Sequence, residues 1–347
     1  MCEFPSLFVN CLAVSATLIE SSQRIISETE STSATQRDML KFGVSHEIVI
    51  IYLLLYSFVL AVDIPSEYQK TQFFGESPCF PRMRVVKSET CLRVGTRYGK
   101  FYLPPQWRKF LPNDGLYYGF GCGEDISFDV GLASLFRNAT LRLFDPTPRA
   151  IDHVNAVFQT IEKGTIPRPP SSGRKGYYLH DDGEEHEVSG NDNAVQFFKD
   201  VKALSLDKRR FTHKPYALAT EDTTMYFSPP AVKTHVSHYF GKNGTGGLAV
   251  LGRTLSSIMS EFGDKRIDVL KCDVEGAEVE IIPYFVELFE KWDKANWPKW
   301  ILFDMDSLRE GHPRYNPVGA KAATAKLRKI GYEHYASDGA DVCWKLL

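Results

Sequence analysis

Two short stretches, about 150 residues apart, constrain this chain more than any other feature. The first is Leu116-Tyr-Tyr-Gly119-Phe-Gly121-Cys-Gly123-Glu124-Asp125. The second is Ile267-Asp-Val-Leu-Lys-Cys-Asp273-Val-Glu275-Gly276-Ala-Glu278. Each reads as an apolar strand that breaks into a polar turn just before an amphipathic helix. In an open α/β sheet, ligands bind beyond the carboxyl ends of such strands. Glycines alternate in one turn, which opens the backbone to close approach. Carboxylates alternate in the other, where they can hold hydroxyl or amino groups.

The glycine turn is not a dinucleotide fingerprint. G-x-G-x-x-G would need a glycine at position 124, where Glu124 stands. Glu124 and Asp125 would repel a pyrophosphate, so a nicotinamide-dependent oxidoreductase is a minor alternative. A cationic, phosphate-free ligand such as S-adenosylmethionine suits the turn better. The bland alternative is a tight turn whose acids favour the dipole of the next helix. Leu141-Arg-Leu-Phe-Asp145 predicts a second strand ending on an acid 22 residues after Gly123, placed to accept ribose hydroxyls. Thr147 is expected to cap a helix that opens on Pro148 and turns Ile151, Val154 and Phe158 inward.

These residues resemble FkbM-type methyltransferases. The resemblance is carried by Tyr117-Tyr-Gly-Phe-Gly-Cys-Gly-Glu-Asp-Ile-Ser-Phe-Asp129, Phe144-Asp-Pro-Thr-Pro-Arg-Ala-Ile151, His235-Val-Ser-His238 and Asp268 to Glu278, in that order. Tyr98-Gly-Lys-Phe101 resembles the segment preceding the glycine turn in such proteins. The resemblance runs from about residue 90 to the C-terminus. It implies an α/β fold of the class I methyltransferase (Rossmann-like) type: a doubly wound, mostly parallel seven-stranded sheet with an antiparallel C-terminal strand. It also implies S-adenosylmethionine as cofactor, with Gly119, Gly121, Gly123, Glu124, Asp125, Asp145, Thr147 and Asp222 as binding candidates. The family methylates diverse acceptors, so the acceptor stays open between a glycan and a small molecule, with oxygen the expected atom. Two departures stand out. Tyr117 and Tyr118 replace the acid that often precedes the glycine turn, and Asp304-Met-Asp306 replaces a Glu-His pair after the fifth strand. They leave open a catalytically inactive binding module.

A hydroxyl acceptor needs a base near the fourth strand tip. Asp273, Glu275 and His238 are the candidates, although the carboxylates of Glu275 and Glu278 can equally cap a helix. Asp273, Asp304, Asp306, His235 and His238 are of metal-ligand type, but no close spacing demands a metal, and none is expected.

Ile48–Val62 is an uncharged apolar run of 15 residues. A spanning helix needs about 20 residues, and a signal h-region about 7–15. A start at Met39 would make 39–62 a cleaved signal or a signal anchor, with a buried helix as the third reading. Residues 1–38 then read as a disordered or unused upstream segment, and a secretory location follows, with the cytoplasm as alternative. Cys79 and Cys91 can pair in an oxidising lumen. Asn138-Ala-Thr140 and Asn243-Gly-Thr245 are glycosylation patterns. A net charge of −2 gives no basic footprint for nucleic acid.

Residues 63–115 read as an extension packed on a domain over 116–347, with 164–193 a loop or hairpin insertion over the site or, alternatively, surface decoration. A third strand is expected near Tyr216–Thr220, and a hairpin strand near Thr224–Phe227. The Gly-rich loop 241–247 lacks the G-K-[ST] ending of a P-loop. Helices over 255–262, after Gly276 and over 317–330, strands at 267–272 and 300–304, and a closing hairpin at 332–336 and 341–346 complete the pattern.

Overall fold

A computed structural model describes residues 71–78, 90–104, 109–189, 191–228, 239–240 and 247–347. The 48–62 run, Cys79, His235, His238 and Asn243 lie outside the described residues.

Seven strands form the central sheet: β4 (Leu116–Phe120), β5 (Thr140–Phe144), β8 (Phe211–Lys214), β13 (Val269–Asp273), β14 (Trp300–Asp304), β15 (Tyr332–Asp338) and β16 (Asp341–Leu346). Their order is β15-β16-β14-β13-β4-β5-β8. β13 pairs in parallel with β4 and β14, and β4 and β8 pair in parallel with β5. β16 runs antiparallel between β14 and β15. This is the doubly wound class I methyltransferase sheet that the resemblance implies. The order reverses between β4 and β13, so the glycine turn and the Asp273 turn emerge side by side at the switch point.

The helices follow from their caps and apolar stripes. α1 (Ser127–Leu135) buries Phe128 and Leu132. α2 (Pro148–Lys163) opens on Pro148 and stops at Gly164, which takes the left-handed conformation at φ 66. α3 (Ala194–Ala203) starts at Asn193, whose side chain accepts from Gln196 N at 3.0 Å. α4 (Leu255–Phe262) starts at Thr254 in the same way and ends at Gly263. α5 (Glu278–Phe289) and α6 (Pro317–Lys329) share one apolar core with β13 and β14. Phe120 and Phe144 stack across β4 and β5 with centroids 4.6 Å apart. Each is 1% exposed, and burying such a side chain stabilises the fold by about 1.5–3 kcal/mol.

Two corrections to the sequence reading concern the middle of the chain. The third sheet strand is β8. The strand expected near Tyr216–Thr220 is β9 (Tyr216–Leu218), which belongs to a separate four-stranded sheet. There it pairs in parallel with β12 (Leu248–Arg253), which pairs with β10 (Thr223–Ser228), which in turn pairs with β11 (Tyr239–Phe240). Only Phe211 of β8 is buried, so an edge strand of polar residues carries little apolar signal. α3, which buries Phe197, Phe198 and Val201, fills a stretch with no expected element.

The 63–115 region contributes a three-stranded antiparallel sheet of β1 (Phe74–Pro78), β2 (Thr90–Val94) and β3 (Phe101–Leu103). It packs on α1, with the rings of Phe101 and Phe128 5.2 Å apart. The insertion holds a hairpin of β6 (Tyr177–Leu179) and β7 (Glu185–Glu187).

Candidate active site

A cavity of about 290 Å³ opens where the two turns meet. Gly121, Gly123, Glu124, Asp125, Asp145, Thr147, Asp273 and Glu275 all line it. Gly119 and Asp222 do not. A Cβ on Gly119 would come within 2.7 Å of Tyr117 Oη, so that glycine leaves room for a buried hydrogen bond from Tyr117 to Asp129 (2.6 Å). Asp222 accepts from Thr254 N at 2.7 Å and pairs with Arg253 at 3.3 Å, at the start of α4.

The glycine turn is built tightly. Gly121 has φ 77, and a Cβ there would lie 1.9 Å from the backbone oxygen of Asp273. Glycine is the residue that permits this crossing. Lys271 Nζ donates to Gly121 O at 2.9 Å, fixing the turn from the neighbouring strand. Asp145 completes the cradle. One carboxylate oxygen accepts from Cys122 N and Gly123 N at 2.8 and 3.0 Å, and the other from Thr147 N and Oγ1 at 2.9 and 2.6 Å. A carboxylate offers about four lone-pair sites, so protein donors occupy them all. Thr147 is the N-cap residue of α2, but its hydroxyl serves Asp145 and makes no capping bond.

The two acids after the turn are also engaged. Glu124 is 1% exposed and takes a two-point contact from Arg149, at 2.6 and 2.7 Å. Burial nonetheless pushes its carboxyl up to about 7, against the pull of Arg149. Asp125 accepts from Ser127 N at 2.8 Å and from Thr96 Oγ1. Burial raises its pKa as well.

The carboxylate tip is crowded. Asp273, Asp304 and Asp306 can bring one oxygen each within 4.8 Å of the others, as can Glu275, Asp306 and His312. Burial drives the Asp273 carboxyl well up, and Asp304 adds to the rise. Asp304 is raised by burial too. Burial, Asp304 and Glu275 push Asp306 up to about 8. Arg309 partly offsets this, donating to Asp304 at 2.6 and 2.8 Å and approaching Asp306 at 2.9 Å. His312 lies 3.5 Å from Glu275, which raises the histidine pKa. Burial works against the charge of Lys271, but Asp129 and Asp273 outweigh it and hold the ammonium above its ordinary value. Glu275 itself sits at φ 51, a left-handed conformation that costs a non-glycine residue about 1–2 kcal/mol. Such strain clusters where a side chain must be aimed.

Sequence reading missed Lys271, Arg309 and His312. A lysine inside an otherwise apolar strand is the one visible signal among them. Arg309 and His312 follow a 3₁₀ turn (Asp306–Leu308) after β14, and their positions depend on a chain reversal that no local pattern encodes.

The residues present fit S-adenosylmethionine. Gly123 lines the cavity at φ 54, and a Cβ there would meet nothing within 4 Å, so an open cradle faces the ligand space. Asp273, Glu275 and Asp304 line the same cavity, and a positively charged ligand would relieve the repulsion among them. Arg309 supplies positive charge to Asp304 and Asp306.

Residues 199–293 match the family model described as Methyltransferase FkbM domain. The match takes in β13 and its Asp273–Glu275 turn, while the glycine turn lies upstream of it. No curated protein sequence matches the chain. Two solved structures are similar in outline. One is the Methanococcus jannaschii fibrillarin pre-rRNA processing protein, at 7% identity and TM-score 0.32, covering 78% of this chain and 96% of that one. The other is a fibrillarin/Nop5p complex, at 7% identity and TM-score 0.34, covering 74% and 94%. The fold class rests on the strand order and not on these likenesses. Strand order and family match together support a methyltransferase of the S-adenosylmethionine-dependent kind.

Proposed function

We propose that this chain methylates an oxygen of a hydroxyl-bearing acceptor, either a glycan or a small molecule, using S-adenosylmethionine. The reading rests on one observation: the open glycine cradle and the charge-crowded carboxylate tip share a single cavity. Bound there, S-adenosylmethionine supplies an electrophilic methyl group on a sulfonium. The remaining work is positioning and proton removal. Asp273 or Glu275 takes the acceptor's hydroxyl proton, since both line the cavity at the β13 tip. Lys271 stabilises the negative charge that Asp273 carries once ionised. His238 remains a third candidate for the base.

The decisive experiment incubates the protein with labelled S-adenosylmethionine and extracts of glycans, lipids, proteins and metabolites. The expected label is released only under conditions that cleave ethers or esters. Label on nitrogen or carbon overturns the oxygen acceptor. Failure to bind the cofactor overturns the methyltransferase reading, and binding without turnover over the panel favours an inactive binding module.

A secretory location belongs to the same proposal. Cys91 is disulfide-bonded. Such bonds persist in oxidising compartments. Asn138 is exposed, as a glycan acceptor must be. Among the described residues, no helix is long and apolar enough to cross a membrane. N-terminal sequencing of protein from secretory cells tests for processing near Ala61. A cytosolic, uncleaved product without glycans refutes this location.

A further inference from the structure

The β6–β7 hairpin carries a second cluster of chemistry-bearing side chains, with no role in the proposed reaction. The chain reverses through His180-Asp181-Asp182-Gly183-Glu184. His180 N donates to Glu184 O at 2.9 Å, and Gly183 takes φ 89. Asp182 Oδ1 accepts from Glu184 N at 2.8 Å, which aims its other oxygen back over the strands. Tyr178 lies opposite His186 in the ladder. His180 stands two residues beyond Tyr178, on the same face of the pleat. The result is two imidazoles whose ring centres are 4.8 Å apart, with one carboxylate between them.

We infer that His180, Asp182 and His186 form a binding site for a divalent transition-metal ion of the zinc type. Their ligand atoms lie within 4.8 Å of one another. Asp182 is 3.3 Å from His186 Nε2 and 3.8 Å from His180 Nδ1. A tetrahedral ion with bonds of about 2.0–2.1 Å sets its ligands about 3.3 Å apart, so small side-chain rotations close the site. Both ring nitrogens of His180 are buried and make no hydrogen bond among the described residues. A metal bond satisfies such a group, which otherwise bears its desolvation cost. Two imidazoles and one carboxylate suit zinc and its neighbours over magnesium or calcium, and three protein ligands leave a fourth position for water. His153, buried beside Tyr178, has unpartnered ring nitrogens too, but is not one of the clustered ligands.

The site has a structural consequence. Beyond His186, Glu187 approaches Arg149 at 3.7 Å, and Arg149 holds Glu124 at the glycine turn. A metal clasp at the hairpin tip thus steadies a brace on the cofactor cavity. It does not depend on the proposed reaction.

The test is zinc titration of the chelator-stripped full chain by calorimetry, with amide exchange over 177–187 as a second readout. One zinc per chain is expected, with slower exchange in the hairpin. Asp182→Asn keeps the turn's shape and should weaken binding at least tenfold, and His180→Ala with His186→Ala should abolish it. His312→Ala, which disables the other histidine-containing cluster among the described residues, should leave zinc binding unchanged. Absence of stoichiometric binding overturns the inference. So does binding that survives the double histidine variant or disappears in His312→Ala.

Discussion

The two turns that meet at the cavity both bear acids, but they treat them in opposite ways. At the glycine turn, Asp145, Glu124 and Asp125 are each met by protein donors: four for Asp145, a guanidinium for Glu124, an amide and a hydroxyl for Asp125. At the β13–β14 tip, Asp273, Asp304 and Asp306 face one another, and Arg309 and Lys271 neutralise them only in part. Satisfied acids shape a backbone. Burial raises Glu124 to about 7 as well, but the acids at the β13–β14 tip also repel one another, an arrangement suited to proton transfer. The first turn therefore reads as the cradle and the second as the chemistry.

The largest expected effect tests the cradle. Gly121→Val forces a side chain into the Asp273 backbone, where even a Cβ would be 1.9 Å from the oxygen, and into an unfavourable φ. A loss of about 3 kcal/mol or more is expected from strain of this kind, with cofactor binding abolished. Thermal melting and calorimetry report the two effects. A well-folded variant that binds S-adenosylmethionine normally would break the comparison.

Asp145→Ala is next, and it separates two roles. If the carboxylate mainly shapes the turn, stability and cofactor affinity fall together. The orphaned amides of Cys122 and Gly123 then cost about 1–3 kcal/mol each. If it holds ribose directly, affinity falls at least tenfold with little change in melting temperature. The occupied lone pairs favour the first outcome.

The carboxylate tip is tested through pH. The folded pKa of Asp306, about 8, lies above its ordinary 3.8. The native state thus binds the proton more tightly than the unfolded chain. Its contribution to stability is complete below about pH 4 and is lost as the pH rises through about 8. Asp273 and Asp304 are shifted the same way. Asp306→Asn should therefore flatten the pH dependence of the melting temperature and raise it at pH 8. A steeper curve would show that the ion pair with Arg309 outweighs the crowding. In the native enzyme, methyl-transfer rate should fall as acid protonates the base.

The smallest effect marks the edge of the site. Asp222→Ala removes the contact to Thr254 N at the start of α4, a loss of about 1 kcal/mol or less for an exposed capping contact. Cofactor affinity should stay within about twofold, because one side chain outside the cavity contributes little to binding. A tenfold loss measured by calorimetry would return Asp222 to the cofactor site.

Local pattern was enough to expose the framework. Leu116–Phe120 and Trp300–Asp304 read as strands because they are apolar runs that end in turn residues. Leu255–Phe262 reads as a helix, and the structure brackets it with a threonine cap and a glycine stop. Gly121, Gly123 and Asp145 could be singled out because their chemistry is local: a turn that needs positive φ, and an acid at a strand end. Tertiary structure alone decided the rest. It assigned Asp145 to backbone amides rather than leaving it open, moved Tyr216–Leu218 out of the main sheet, and set Asp222 apart from the cavity. It also brought Lys271, Arg309 and His312 to the acids they offset. The reason is physical. A turn or cap is fixed by interactions among residues a few positions apart, whereas hydrogen-bond partners and proton affinities depend on burial and on charges that only the folded chain brings together.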